Sequence, residues 1–123
     1  MLRKYRYFTL ALILVSVAAL AVKGDTKQAE AGWALIQSGA LLVDVRTPEE
    51  YAGGHIEGAV NVPYTETDKL ASAIGEDKDR SVVVYCGSGR RAGKAKTALE
   101  ALGYTHIFNA TGYEALLATA PDG

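Results

Sequence analysis

A single cysteine, Cys86, occurs in this chain, so no disulfide can close within it. Histidine is nearly as scarce. His55 and His106 stand far apart in sequence, which argues against a zinc site made from the chain's own thiolate and imidazoles. An excess of either charge is missing too. The 13 Lys and Arg against 14 Asp and Glu give a formal net charge of −1, so no global basic field draws in nucleic acid. No internal repeat or low-complexity segment is present, and nothing in the pattern asks for a cofactor or a metal. The 123 residues, 49% of them hydrophobic, suit one globular domain and no more.

The first residues stand apart from that domain. Arg3, Lys4 and Arg6 precede an apolar stretch from Tyr7 to Val22, broken only by Thr9 and Ser16. A basic start, an apolar middle and the A-x-A pattern Ala19-Leu20-Ala21 make a secretory signal. The run is shorter than the roughly 20 residues a membrane span needs. The reading is therefore a signal peptide over 1–21 and a mature domain over 22–123, periplasmic or otherwise exported. A retained N-terminal anchor is the alternative, and it would be the chain's only link to a membrane. No cysteine follows the apolar run, which excludes a lipoprotein anchor. Outside the cytoplasm cysteines usually pair. A lone one is then a reactive thiol or an intermolecular link.

The surroundings of Cys86 favour the reactive thiol. Val82-Val83-Val84-Tyr85 lead into Cys86-Gly87-Ser88-Gly89-Arg90-Arg91, and a helix-like run follows. The glycines permit a tight turn of backbone N–H groups around the sulfur, beside a helix N-terminus and two guanidinium groups. A buried structural cysteine needs none of these. Such a cradle suits covalent chemistry on an anionic substrate.

Along the mature chain, spacing predicts a helix from Thr26 to Gly39 and a buried strand over Ala40–Val45. Thr47-Pro48-Glu49-Glu50 is a helix start, ended by Gly53-Gly54. A short strand over Ala59–Val62, a helix over Thr65–Ile74 and a strand over Ser81–Tyr85 follow. A helix from Arg91 to Leu102 carries Ala95, Ala98, Leu99 and Leu102 on one face, with Gly103 as its stop. A last strand over Tyr104–Asn109 and a helix over Gly112–Ala120 close the chain. Alternating strands and helices predict an α/β domain with a mainly parallel sheet. Ligands of such sheets sit at the carboxyl ends of the strands, where Cys86 falls.

These residues resemble the rhodaneses, and most of all the small, single-domain periplasmic kind. Asp44-Val45-Arg46 is similar to the family's first signature. The second is matched by Glu50-Tyr51, Gly54-His55-Ile56, Gly58-Ala59 and Asn61-Val62-Pro63. Cys86-x-x-Gly89-x-Arg91 resembles the active-site loop, and Gly103-Tyr104 with Asn109-x-x-Gly112 the closing signature. The resemblance implies a parallel sheet with helices on both faces. It implies that Cys86 takes a sulfane sulfur from a small anionic donor such as thiosulfate. The persulfide then passes that sulfur to cyanide or a thiol. Gly87, Ser88, Gly89, Arg90 and Arg91 would bind the donor, with Arg91 favoured over Arg90 by the loop pattern. Ser88 is equally an ordinary turn residue. Asp44 and Arg46 would form an internal salt bridge, and His55 would serve packing.

The sequence departs from the family where Thr111-Gly112 replaces a frequent pair of glycines and Tyr113 stands near a frequent tryptophan. Both departures are expected at the pocket's edge. Gly87 after the cysteine resembles the loop start of mercaptopyruvate sulfurtransferases, which leaves the donor open. A phosphatase or arsenate reductase on the same fold would need arginine where Ala92 stands. A sulfur carrier or sensor of low turnover shares the persulfide step and remains the rival reading.

Overall fold

In a computed structural model, residues 22–122 are described. The signal segment expected at 1–21 lies outside the described residues. The elements are α1 Thr26–Gln37, β1 Leu41–Asp44, α2 Pro48–Ala52, β2 Val60–Asn61 and α3 Thr67–Ile74. They continue with β3 Val82–Cys86, α4 Arg90–Ala101, β4 Ile107–Gly112 and α5 Tyr113–Ala118.

Local chemistry explains where the helices start. Asp25 caps α1, its carboxylate accepting from the amides of Lys27 and Gln28. Thr47 and Glu50 close a capping box around α2, and Pro48 takes its first position. The strands run in the order β2-β1-β3-β4, every neighbouring pair parallel.

All of β3 is buried, because both faces of the sheet are covered. One face presents Val43, Val45, Val82 and Val84 to Leu70 and Ile74 of α3 and to Ala92, Ala95 and Leu99 of α4. The other presents Leu42, Val83 and Tyr85 to Ala29 of α1 and to Ala115 and Leu116 of α5. The alternation along β3 is the two-residue period of a strand. Leu70, Leu99 and Leu116 are fully buried, each contributing about 1.5–3 kcal/mol.

The last strand begins later than the sequence predicts, at Ile107 rather than Tyr104, and runs on to Gly112. Tyr104 instead turns inward as a plug, its hydroxyl donating towards the carbonyls of Ala71 and Gly75. Leu102 also departs from expectation. It stands past the end of α4, 46% exposed, while Tyr104 takes the buried place at 4%. The left-handed turn at Gly103 (φ 96°) makes that exchange. No helix among the described residues is long and apolar enough to cross a membrane.

Candidate active site

Cys86 is the last residue of β3, and only 1% of it is exposed. Its Sγ accepts from the amide of Gly89 at 3.0 Å and from that of Ala92 at 3.5 Å. Gly89 is the N-cap of α4 and Ala92 lies in the helix's first turn. The sulfur therefore sits where an N-cap side chain would sit, satisfying orphan donors at the positive end of the dipole. Negative charge on that atom meets amides already pointed at it.

The loop can close only because Gly89 takes φ 105°, a left-handed conformation open to glycine. Asn109 fixes it from behind, donating from Nδ2 to the Gly89 carbonyl at 2.9 Å. In β4, an extra residue enters between the partner of Val84 and that of Cys86, so the register shifts. Thr111 lies in that bulge at φ 68°, the one non-glycine residue at positive φ among those described. Its amide donates to Asn109 Oδ1 at 2.8 Å, and its hydroxyl accepts from the Asp25 amide at 2.9 Å. A β-carbon on Gly112 would stand 2.6 Å from the Gly87 carbonyl, so glycine is required there by close approach. Thr111 and Gly112 thus support the loop through direct contact.

The two arginines part company. Arg90 is exposed, as is Ser88. Arg91 is gripped by Glu50 through two parallel bonds, Nη1 to Oε1 at 2.7 Å and Nη2 to Oε2 at 3.0 Å. Glu50 Oε1 also accepts from the Thr47 amide and hydroxyl, both at 3.1 Å. The hydrogen bonds from Arg91 hold the Glu50 carboxyl down at about 2, against an ordinary 4.5. The Arg91 guanidinium is held above its usual range, chiefly by Glu50 and to a lesser degree by the nearby Cys86 sulfur. Sequence reasoning placed Glu50 at a helix start and in the second signature, but not at the site. Its partner is 41 residues away, and no local spacing announces the pair.

Asp44 and Arg46 serve the scaffold. Asp44 is wholly buried and Arg46 is 6% exposed. The Arg46 Nη2 lies 2.7 Å from Asp44 Oδ2 and donates to the Gly54 carbonyl at 2.7 Å. The guanidinium carbon sits 4.6 Å from the Tyr113 ring centroid. Tyr113 therefore lids this ion pair. Burial pushes the Tyr85 phenol above its ordinary range, against the pull of the Ile56 amide that donates to its oxygen at 3.0 Å. His55 stacks on Tyr51 at 3.7 Å between centroids, and its Nδ1 lies 2.9 Å from the Tyr51 carbonyl. Its partners are those of a packing residue. His106 is exposed and its Nδ1 meets the Thr105 hydroxyl at 2.7 Å.

The fold is that of an α/β domain whose candidate site is a cysteine at the carboxyl end of a central parallel strand, met by helix-terminal amides. The rhodanese-like domain matches residues 28–118, and the chain belongs to that family. It is 46% identical over 71 residues to the thiosulfate sulfurtransferase PspE of Escherichia coli, across 57% of this chain and 67% of that protein. The thiosulfate:glutathione sulfurtransferase of Saccharomyces cerevisiae is 34% identical over 77 residues, across 54% of this chain and 55% of that one. The chain thus spans between about half and two thirds of these curated relatives. Among solved structures, a rhodanese with anions from E. coli aligns with a TM-score of 0.59 at 41% identity, covering 63% of this chain and 91% of that one.

Proposed function

We propose that this protein is a sulfurtransferase that carries a sulfane sulfur on Cys86. The single observation that carries the reading is the convergence of the Gly89 and Ala92 amides on Sγ. A persulfide places a negative sulfur one bond further out, still within the loop formed by Gly87, Ser88, Gly89, Arg90 and Arg91. In the first half-reaction the Cys86 thiolate attacks the outer sulfur of thiosulfate. The new S–S bond forms as the old one breaks, and sulfite leaves with the electron pair. In the second, cyanide or a thiolate attacks the terminal sulfur, and the Cys86 thiolate is released with its electrons. No general base is required in either step. The amides stabilise the negative sulfur in both, and the exposed Arg90 adds a weak, screened attraction for the donor.

The names of the curated relatives support thiosulfate as donor and a thiol as acceptor. Export through residues 1–21 belongs to the same proposal, since a lone reactive thiol in an exported domain has no cysteine in its own chain to pair with. The deciding experiment is sulfur uptake by Cys86 from thiosulfate, followed by intact mass, with thiocyanate release on adding cyanide.

A further inference from the structure

We propose that Glu50 sets the charge preference of the donor site, disfavouring dianionic donors relative to monoanionic ones. The proposal rests on the sulfur-transfer reading above. Its basis is the geometry of the Arg91 fork. Both Glu50 oxygens engage it, at 2.7 and 3.0 Å, with the paired geometry a sulfonate would otherwise take. A donor anion arriving at Cys86 thus meets an arginine already neutralised and already filled.

The neighbouring charges do not offset this. Arg46 is consumed by Asp44 inside the scaffold. Arg90 is exposed beside the loop, and solvent screens it. Lys94 reaches over the Tyr64 ring, 5.9 Å from its centroid. The carboxylate is also fixed in place. Thr47 holds Oε1 through its amide and hydroxyl, and the pair is 38% exposed at Glu50 and 29% at Arg91. Glu50 is ionised across the working range, because Arg91 holds its carboxyl near 2. A carboxylate that neutralises the arginine beside an anion site takes more attraction from a dianion than from a monoanion. The amides that receive the transferred sulfur belong to Gly89 and Ala92 and make no bond to Glu50.

Thiosulfate and methanethiosulfonate test this directly. Both offer the same S–S bond to the thiolate. The first is a dianion that releases sulfite, the second a monoanion that releases methanesulfinate. The quantity read is the ratio of their kcat/KM values in one preparation, which cancels any difference in folded fraction. Glu50→Gln keeps an acceptor for Thr47 but removes the charge, and Glu50→Ala removes both. Each is expected to raise the thiosulfate to methanethiosulfonate ratio by about three- to tenfold at low ionic strength, with the gain shrinking in high salt. An unchanged ratio in both variants, with both donors slowed in proportion, overturns the proposal and leaves Glu50 as a scaffold residue. Failure of the wild-type protein to use either donor overturns the sulfur-transfer reading itself, and the charge preference falls with it.

Discussion

The α-carbon of Thr111 lies directly beneath Gly89, 3.1 Å from where a β-carbon on that glycine would stand. The closing strand and the thiol loop are therefore in backbone contact, and the loop has no room to sink. Gly89→Ala is expected to meet both this contact and the left-handed φ. It should cost about 1–3 kcal/mol of stability. Displacing the Gly89 amide from Sγ should also lower kcat by about 100-fold in the protein that still folds. Thermal unfolding and steady-state kinetics on the same preparation check both figures.

Arg91→Ala should weaken anionic donors more than Arg90→Ala. Arg91 lies over the loop and near the Cys86 sulfur, whereas Arg90 is exposed. Arg91→Ala takes a guanidinium from beside the thiol loop and leaves the Glu50 carboxylate without its partner, which is expected to lower kcat/KM by about one to two decades, or about 1.5–3 kcal/mol. Kinetics with thiosulfate at fixed ionic strength decide it. Greater damage in Arg90→Ala would mean that the exposed arginine receives the donor.

The Glu50 carboxyl sits lower in the folded chain, at about 2, than its ordinary 4.5. A depressed carboxyl stabilises the fold above the ordinary value and loses that contribution as pH falls towards the folded one. Wild type should therefore exceed Glu50→Gln in stability at neutral pH, and the gap should close between about pH 4.5 and pH 2. Since the pair is partly exposed, the gap at neutral pH should be no more than about 1 kcal/mol. Paired melts across that range test it. A gap that persists at pH 2 would contradict the assignment.

Asp44→Ala should leave the Arg46 guanidinium buried without its carboxylate. The expected cost is about 3–5 kcal/mol, enough to unfold much of a domain this size at ordinary temperature. Urea unfolding measures it. Full stability in the variant would mean that Tyr113 and the Gly54 carbonyl hold Arg46 by themselves.

The elements built on local signals were legible. Thr47-Pro48-Glu49-Glu50 carries its own capping chemistry, and the valines of β3 announce a strand covered on both sides. The place of Cys86, at the end of a buried strand and the start of a glycine-rich turn, was legible from its neighbours. What the sequence did not disclose depends on long-range contact. The sequence ends the last strand at Asn109 and starts a helix at Gly112, yet tertiary pairing with β3 carries the strand through a bulge to Gly112. Tyr104 reads as strand, but its hydroxyl is claimed by carbonyls of α3 and the residue after it. Glu50 shows its capping role in sequence but not its grip on Arg91, because that partner lies on another element. The position of Arg91 in the loop was legible, but not that its fork is already filled.

Intact mass after incubation with thiosulfate tests the central claim most directly. The wild-type protein should gain the mass of one sulfur atom, with the gain mapping to Cys86. Cyanide should remove it as thiocyanate. Cys86→Ser should gain nothing while keeping the wild-type circular dichroism, because a hydroxyl cannot carry a persulfide. Uptake without repeated turnover would favour a carrier over an enzyme. No uptake by the wild-type protein, or turnover retained in a folded Cys86→Ser, would contradict the account.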